Sequence, residues 1–238
     1  MHIALIGYGK MGHMIEEVGV TRGHEIVLKI HADNKNEFTK ENMANADVAI
    51  EFTAPDSAFL NVKRCLDFGV PIVSGSTGWN DHLQAAKDYC IEKNSAFLHA
   101  SNFSVGVNIF FKVNKLLAKL MATQPNYEVT VKEVHHTAKK DAPSGTAVTI
   151  AEQIMANLPR KKSWVNNKSS NADELSIISE RIDPAPGTHY VRYTSDIDDI
   201  EIIHTAHNRK GFALGAVLAA EFIAGKKGVF TMNDVLSL

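Results

Sequence analysis

The 238 residues, 45% hydrophobic and 22% charged, have the make-up of a folded globular protein and not of a disordered or fibrous one. A formal net charge of -2 weighs against a nucleic-acid partner, which needs a positive surface to displace counterions. No run approaches the ~18 to 20 apolar residues of a membrane span, the apolar start Ile3-Ala4-Leu5-Ile6 is too short for a signal peptide, and Cys65 and Cys90 form no CxxC pair, so a cytoplasmic protein without a membrane partner is expected.

In chain order, short apolar runs alternate with amphipathic segments, the pattern of βαβ units and a parallel sheet. Strands are predicted at Ile3–Ile6, Ile26–Ile30, Val48–Phe52, Val70–Ser74 and Ala96–His99, which makes a five-stranded sheet. Helices are predicted at Lys10–Val18, Ser57–Phe68 and Asp81–Lys93, with side-chain caps from Pro55-Asp56 and Asn80. A long apolar-periodic helix, Val105–Met121, then gives way to period-two alternation, with Tyr127, Val129 and Val131 on one face. Further alternating runs lie at Leu175–Arg181, His189–Ser195 and Ile197–Thr205, and the polar stretch Pro159–Asp173 reads as a mobile surface loop. A last helix, Ala213–Ala224, and Gly228-Val229-Phe230 return to the first domain. The expected class is α/β: a Rossmann-type parallel sheet over 1–104 and 209–238, and an α+β substrate-binding and oligomerisation domain with a mixed or antiparallel sheet over 105–208.

Gly7-Tyr8-Gly9-Lys10-Met11-Gly12 fits G-x-G-x-x-G between a strand and a helix, the setting of the dinucleotide fingerprint. Its glycines permit a tight turn and close approach to a pyrophosphate, and the helix start offers N–H groups to the anion. An acidic residue is expected at the end of the second strand, where His31 stands, with Asp33 two residues on and Lys29 and Lys35 flanking. Either a ribose hydroxyl or a 2′-phosphate suits that setting, so NADH and NADPH both remain open. Glu51-Phe52-Thr53-Ala54-Pro55 and Gly75-Ser76-Thr77-Gly78 follow the third and fourth strands, where ligands of such sheets bind, although any βα loop favours the same residue types. Ser101-Asn102-Phe103-Ser104 follows the fifth.

The sharpest chemical signal is Glu133-Val134-His135-His136-Thr137-Ala138-Lys139-Lys140-Asp141-Ala142-Pro143-Ser144-Gly145-Thr146-Ala147, joining a strand to a helix. Ser144-Gly145-Thr146 begins the helix and suits a carboxylate, while a simple N-cap would equally explain Ser144. Two histidines and two lysines lie close by in sequence, and such groups exchange protons or pair with a carboxylate. A metal is not expected: His135 and His136 point to opposite faces of a strand, and no third ligand has zinc-like spacing. His204 and His207 read as exposed polar residues at a strand end.

Together with Val105-Gly106-Val107-Asn108, these segments make the whole chain resemble the 4-hydroxy-tetrahydrodipicolinate reductase family. The resemblance implies hydride transfer from NADH or NADPH to a small cyclic dicarboxylate, giving tetrahydrodipicolinate in diaminopimelate and lysine biosynthesis, by a homotetramer. It implies that His135 is the acid/base residue and Lys139 the proton donor, and that His136, Gly145 and Thr146, beside Ser144, bind substrate. Cofactor contacts carry over to Gly7, Tyr8, Gly9, Lys10, Met11, Gly12, Thr53, Gly75, Ser76, Thr77, Ser101, Asn102, Phe103 and Ser104. The stretch Pro184–Ile203 is shorter than in longer members, and His31 departs from the common acidic residue. Two other readings compete: another imine or amino-acid dehydrogenase, which would leave the His135–Lys139–Ser144 grouping unexplained, and a non-catalytic nucleotide sensor, against which the intact His135 and Lys139 speak.

Overall fold

The computed structural model describes residues 1–238, which form two compact units, Met1–Val105 with Lys210–Leu238 and Gly106–Arg209. The first unit begins β1 (His2–Ile6), α1 (Lys10–Thr21), β2 (Glu25–Ile30), α2 (Lys40–Met43), β3 (Val48–Glu51), α3 (Pro55–Asp67), β4 (Ile72–Ser74), α4 (Leu83–Glu92) and β5 (Ala96–His99). The second holds α5 (Val105–Met121), β6 (Glu128–His135), α6 (Gly145–Asn157), β7 (Ser163–Val165), β8 (Glu174–Arg181), β9 (Gly187–Thr194) and β10 (Asp199–Ala206). The chain then returns to the first unit with α7 (Lys210–Ile223), β11 (Gly228–Phe230) and α8 (Met232–Leu236).

The first sheet is parallel throughout, in the order β11-β5-β4-β3-β1-β2. It has six strands where five were expected, because Gly228-Val229-Phe230 adds an edge strand beside β5. Strand residues alternate between two cores, as a sheet covered on both faces requires. Ile3, Leu5, Val48, Ile50, Val73 and Leu98 pack with Ala213, Ala216, Val217 and Ala220 of α7. Ala4, Ile6, Ala49, Ile72 and Phe97 pack with Ala58 and Val62 of α3 and Ala86 and Cys90 of α4. The side-chain caps expected from Pro55-Asp56 and Asn80 are not made. Pro55 is itself the first helical residue, after Ala54, and there its missing N–H costs nothing, while Asn80 opens a short 3-10 turn that runs into α4.

The second sheet is mixed, β10-β9-β6-β8-β7, with β6 and β8 parallel because α6 carries the chain across between them. Val129 and Val131 of β6 and Val191 and Tyr193 of β9 face Ile150, Ala151 and Ile154 of α6, whose spacing puts one apolar stripe against the sheet. The stretch 159–173 is not the free loop its composition suggests. It contains β7, and Lys161, only 2% exposed, binds Glu128 and the carbonyls of Ala172 and Glu174 at 2.9 Å each. Arg160 likewise donates to the carbonyls of Met121 (3.2 Å) and Tyr127 (2.9 Å). Nor is His204 a simple exposed residue: it lies on β10 beside the Phe110 ring, with a buried Nδ1 and a pKa depressed by desolvation. No helix is long and apolar enough to cross a membrane.

Candidate active site

At the mouth of the parallel sheet, Gly7 and Tyr8 donate their amides to the carbonyl of Ile30 at 2.8 and 2.9 Å, which ties the first glycine turn to the end of β2. Phe52, just beyond β3, is the post around which the neighbouring loops fold. A Cβ on Gly7 would lie 2.0 Å from the Phe52 carbonyl, and one on Gly75 would lie 2.1 Å from its ring. Gly12 is needed for the same kind of reason, with the Gly7 carbonyl 2.7 Å from its missing Cβ. Gly9 differs: a Cβ there meets nothing within 4 Å, and its φ of -98° is open to any residue. The cradle it leaves at the start of α1, a helix with no acidic residue in its first turn, fits the pyrophosphate of a dinucleotide.

The side chains of this loop divide between fold and surface. Met11 packs into the core, Tyr8 donates its hydroxyl to Glu16, and Lys10 is exposed at the first turn of α1. Thr53 and Ser76 are brought together by Glu51, a fully buried carboxylate closing the apolar run Val48-Ala49-Ile50. Its Oε1 accepts from Thr53 N at 2.9 Å, Ser76 Oγ at 2.7 Å and the Thr53 hydroxyl, and its Oε2 accepts from Ser74. Thr77 and Ser101 are exposed, Asn102 Oδ1 accepts from Ser104 N at 2.9 Å, and the Phe103 ring is buried against Phe52 at 5.7 Å between centroids. Phe103 therefore shapes its loop from within the core. Glu51 was missed as a site residue, and its one sequence signal is a lone carboxylate ending an apolar strand.

In the second unit the expected residues gather around a residue the sequence reading did not select. Glu133, wholly buried on β6, accepts at Oε1 from Ser144 N (3.0 Å), Ser179 Oγ (2.8 Å) and Arg181 Nη2 (3.1 Å). Its Oε2 faces His135 Nδ1 at 3.3 Å and His189 Nε2 at 3.8 Å. Burial pushes the Glu133 carboxyl up, but hydrogen bonds from His135, Ser144 and Ser179 outweigh it and hold the pKa well below the ordinary carboxylate range. His189, 5% exposed, stands edge-on to His135 with ring centroids 5.2 Å apart. Desolvation first, and the neighbouring His135 second, depress its pKa to about 4, so it is neutral near pH 7.

Ser144 is buried and caps α6, accepting from Ala147 N at 3.2 Å while its hydroxyl also meets His189 Nε2 at 3.3 Å. That hydroxyl is engaged within the fold, which leaves the exposed Gly145 and half-buried Thr146 to present the helix start. A Cβ on Gly145 meets nothing within 4 Å. Lys139 is held by both oxygens of Asp141 at 2.7 and 2.8 Å, and the Asp141 carbonyl accepts from Arg181 at 2.6 Å, so Lys139 joins the same network. His136, half-buried, lies just past the end of β6.

One expectation about metals is corrected in part. A third possible ligand does exist, since ligand atoms of Glu133, His135 and His189 lie within 4.8 Å of one another. The donor set nevertheless suits protons better than a cation, because the other Glu133 oxygen already takes a guanidinium, a hydroxyl and an amide.

A parallel-sheet unit with a glycine cradle, paired with a mixed-sheet unit that clusters buried histidines beside a helix start, is the build of a nicotinamide-dependent oxidoreductase. Comparison with known proteins narrows the class. Residues 1–103 match the family described as "Dihydrodipicolinate reductase, N-terminus", and residues 106–236 match "Dihydrodipicolinate reductase, C-terminus". The chain is 48% identical over 237 residues to a protein of Christiangramia forsetii named 4-hydroxy-tetrahydrodipicolinate reductase, covering 100% of this chain and 98% of that one. It is 38% identical over 212 residues to the protein of that name from Methanosarcina mazei, covering 87% and 79%. Among solved structures, a dipicolinate-bound dihydrodipicolinate reductase from Paenisporosarcina shares the fold at a TM-score of 0.80 and 22% identity, covering 97% of each chain. The chain belongs to the dihydrodipicolinate reductase family.

Proposed function

We propose that this protein reduces 4-hydroxy-tetrahydrodipicolinate to tetrahydrodipicolinate with NADH or NADPH, in the cytoplasm, as a step of diaminopimelate and lysine biosynthesis. Family membership over both units supports this, as does the activity named for the 48%-identical relative. The observation that carries it is the pair Gly9 and Gly145. Each stands where a helix starts, and neither is required by packing or by a left-handed φ. What such a glycine provides is room for a ligand against the backbone, an anion at each helix start. The first unit is read as the dinucleotide domain and the second as the substrate domain.

Bound nicotinamide supplies the hydride, and the residues of the chain manage the rest. Gly145 and Thr146, with His136, hold a carboxylate of the substrate at the start of α6, and Ser144 shapes that start from beneath. Hydride addition calls for one proton and the loss of the 4-hydroxyl as water. His135 and Lys139 move that proton, Lys139 with its ammonium braced by Asp141. Homotetramer formation is supported by apolar residues left exposed on the second unit, among them Ile109, Val113, Leu116 and Leu120 along one face of α5 and Ile203 on β10.

The test is oxidation of NADH and of NADPH in the presence of enzymatically generated 4-hydroxy-tetrahydrodipicolinate. Replacement of His135 or Lys139 by Ala is expected to lower kcat roughly 10²- to 10⁴-fold with cofactor affinity by fluorescence nearly unchanged. Wild-type turnover in both variants would sink the assignment.

A further inference from the structure

Along β6 the residues facing α6 are Val129, Val131, Glu133 and His135, two hydrophobes followed by two ionisable groups on one buried row. A buried carboxylate is not what strand packing needs, since a hydrophobe of similar size would usually stabilise the fold at least as well. This one is nonetheless fully furnished. Oε1 is saturated by Ser144 N, Ser179 and Arg181, which orients the carboxylate and leaves Oε2 aimed at the imidazole of His135. Glu133 Oε2 and His135 Nδ1 are both buried and face each other at 3.3 Å, and neither is satisfied by a hydrogen bond of regular geometry from any other group. On the other edge of the ring, Nε2 lies beside Gly187, where a Cβ would stand only 2.9 Å away.

We propose that Glu133 is the positioning residue of the site. Its Oε2 takes the Nδ1–H of His135, which fixes the tautomer that leaves Nε2 bare as the nitrogen that exchanges a proton with the substrate. The proton on Nδ1 stays there throughout, and Glu133 stays ionised. Through Oε1 the same carboxylate holds the amide of Ser144, so the start of α6 is set in register with the imidazole. One rigid group thereby aligns the proton-transfer residue with the groups that hold the substrate anion. The proposal rests on the reading of His135 as the acid/base group.

Glu133→Gln tests it. The amide oxygen can keep the Ser144, Ser179 and Arg181 contacts, while the amide NH₂ meets His135 Nδ1 and obliges it to accept. The imidazole proton then sits on Nε2, the wrong nitrogen. The expected result is a fall in kcat of about 100-fold or more, with KM for the dicarboxylate changed little. Imidazole ¹⁵N shifts should place the proton of neutral His135 on Nδ1 in the wild-type protein and on Nε2 in Glu133→Gln. In a His135→Ala background the same substitution should cost almost nothing further.

The outcomes separate cleanly. Near-wild-type turnover of His135→Ala would overturn the reading of His135 itself. Loss of turnover in His135→Ala with unimpaired Glu133→Gln, or an equal loss from Glu133→Gln in both backgrounds, would overturn the role of Glu133 while leaving that of His135 standing. Should Glu133→Gln fail to fold, the wild-type ¹⁵N spectrum decides alone: a proton on Nε2 of His135 overturns the proposal.

Discussion

Glu51 and Glu133 are alike in kind: each is a carboxylate with no exposed surface on a strand, and each ties that strand both to a neighbouring strand and to the turn that follows. His189, packed beside Glu133, gives the site a measurable dependence on pH. Its pKa falls from 6.5 in the unfolded chain to about 4 in the folded one, so between those values the unfolded chain binds a proton that the folded chain refuses. Stability should therefore be complete above pH 6.5 and decline as pH falls toward 4, by up to about 3 kcal/mol. Urea unfolding at pH 7, 5.5 and 4.5 measures the slope, and His189→Gln should flatten it. Gly145→Ala makes a second test at this scale. The added methyl enters open space, so unfolding free energy should hold or rise by up to about 1 kcal/mol, while KM for the dicarboxylate increases; an unchanged KM would remove Gly145 from the binding site. His135, Lys139 and Ser144–Thr146 stood out in the sequence because two histidines, two lysines and a helix start fall within one short strand-to-helix stretch. Glu133 lay in the same stretch but looked like any strand residue, and Arg181 and His189 left no local pattern, because β8 and β9 bring them to β6 from 46 and 56 residues along the chain.

Among the elements, periodicity located the long pieces well, Val105–Met121 and the alternating strands above all. It failed at 159–173, since a stretch rich in Lys, Ser and Asn reads as solvated when its partners are distant carbonyls. Lys161 is what holds that segment, and Lys161→Met is expected to destabilise the second unit by about 1 to 3 kcal/mol, because the carbonyls of Ala172 and Glu174 lose their donor. Hydrogen exchange should show the amides of β7 losing protection first. In the first unit α7 is built from small residues for a steric reason: a Cβ on Gly215 would lie 1.7 Å from the Phe103 carbonyl. Gly215→Ala should accordingly lower the unfolding midpoint while leaving the second unit unaffected, as heteronuclear spectra of residues 106–209 would report.

At the scale of the whole molecule, alternation of strand and helix signals was enough to anticipate a parallel sheet followed by a mixed or antiparallel one, and the second sheet is mixed. The sixth strand was harder to see, because a three-residue run carries little periodicity and pairs with β5 over more than a hundred intervening residues. That connection governs how the protein is made. One face of the parallel sheet, with Ile3, Leu5, Val48, Ile50, Val73 and Leu98, is covered only by α1, through Ile15, until α7 is present. During synthesis these side chains emerge before the second unit and wait for α7, which follows it, while the second unit already has its full complement of residues. Assembly of the nascent chain thus runs against the order of translation, and the unit begun first is finished last. A fragment ending at Val105 should aggregate when expressed alone and regain a dispersed spectrum when a peptide spanning 210–238 is supplied in trans. The segment translated after the second unit is the one that completes the cover of the first.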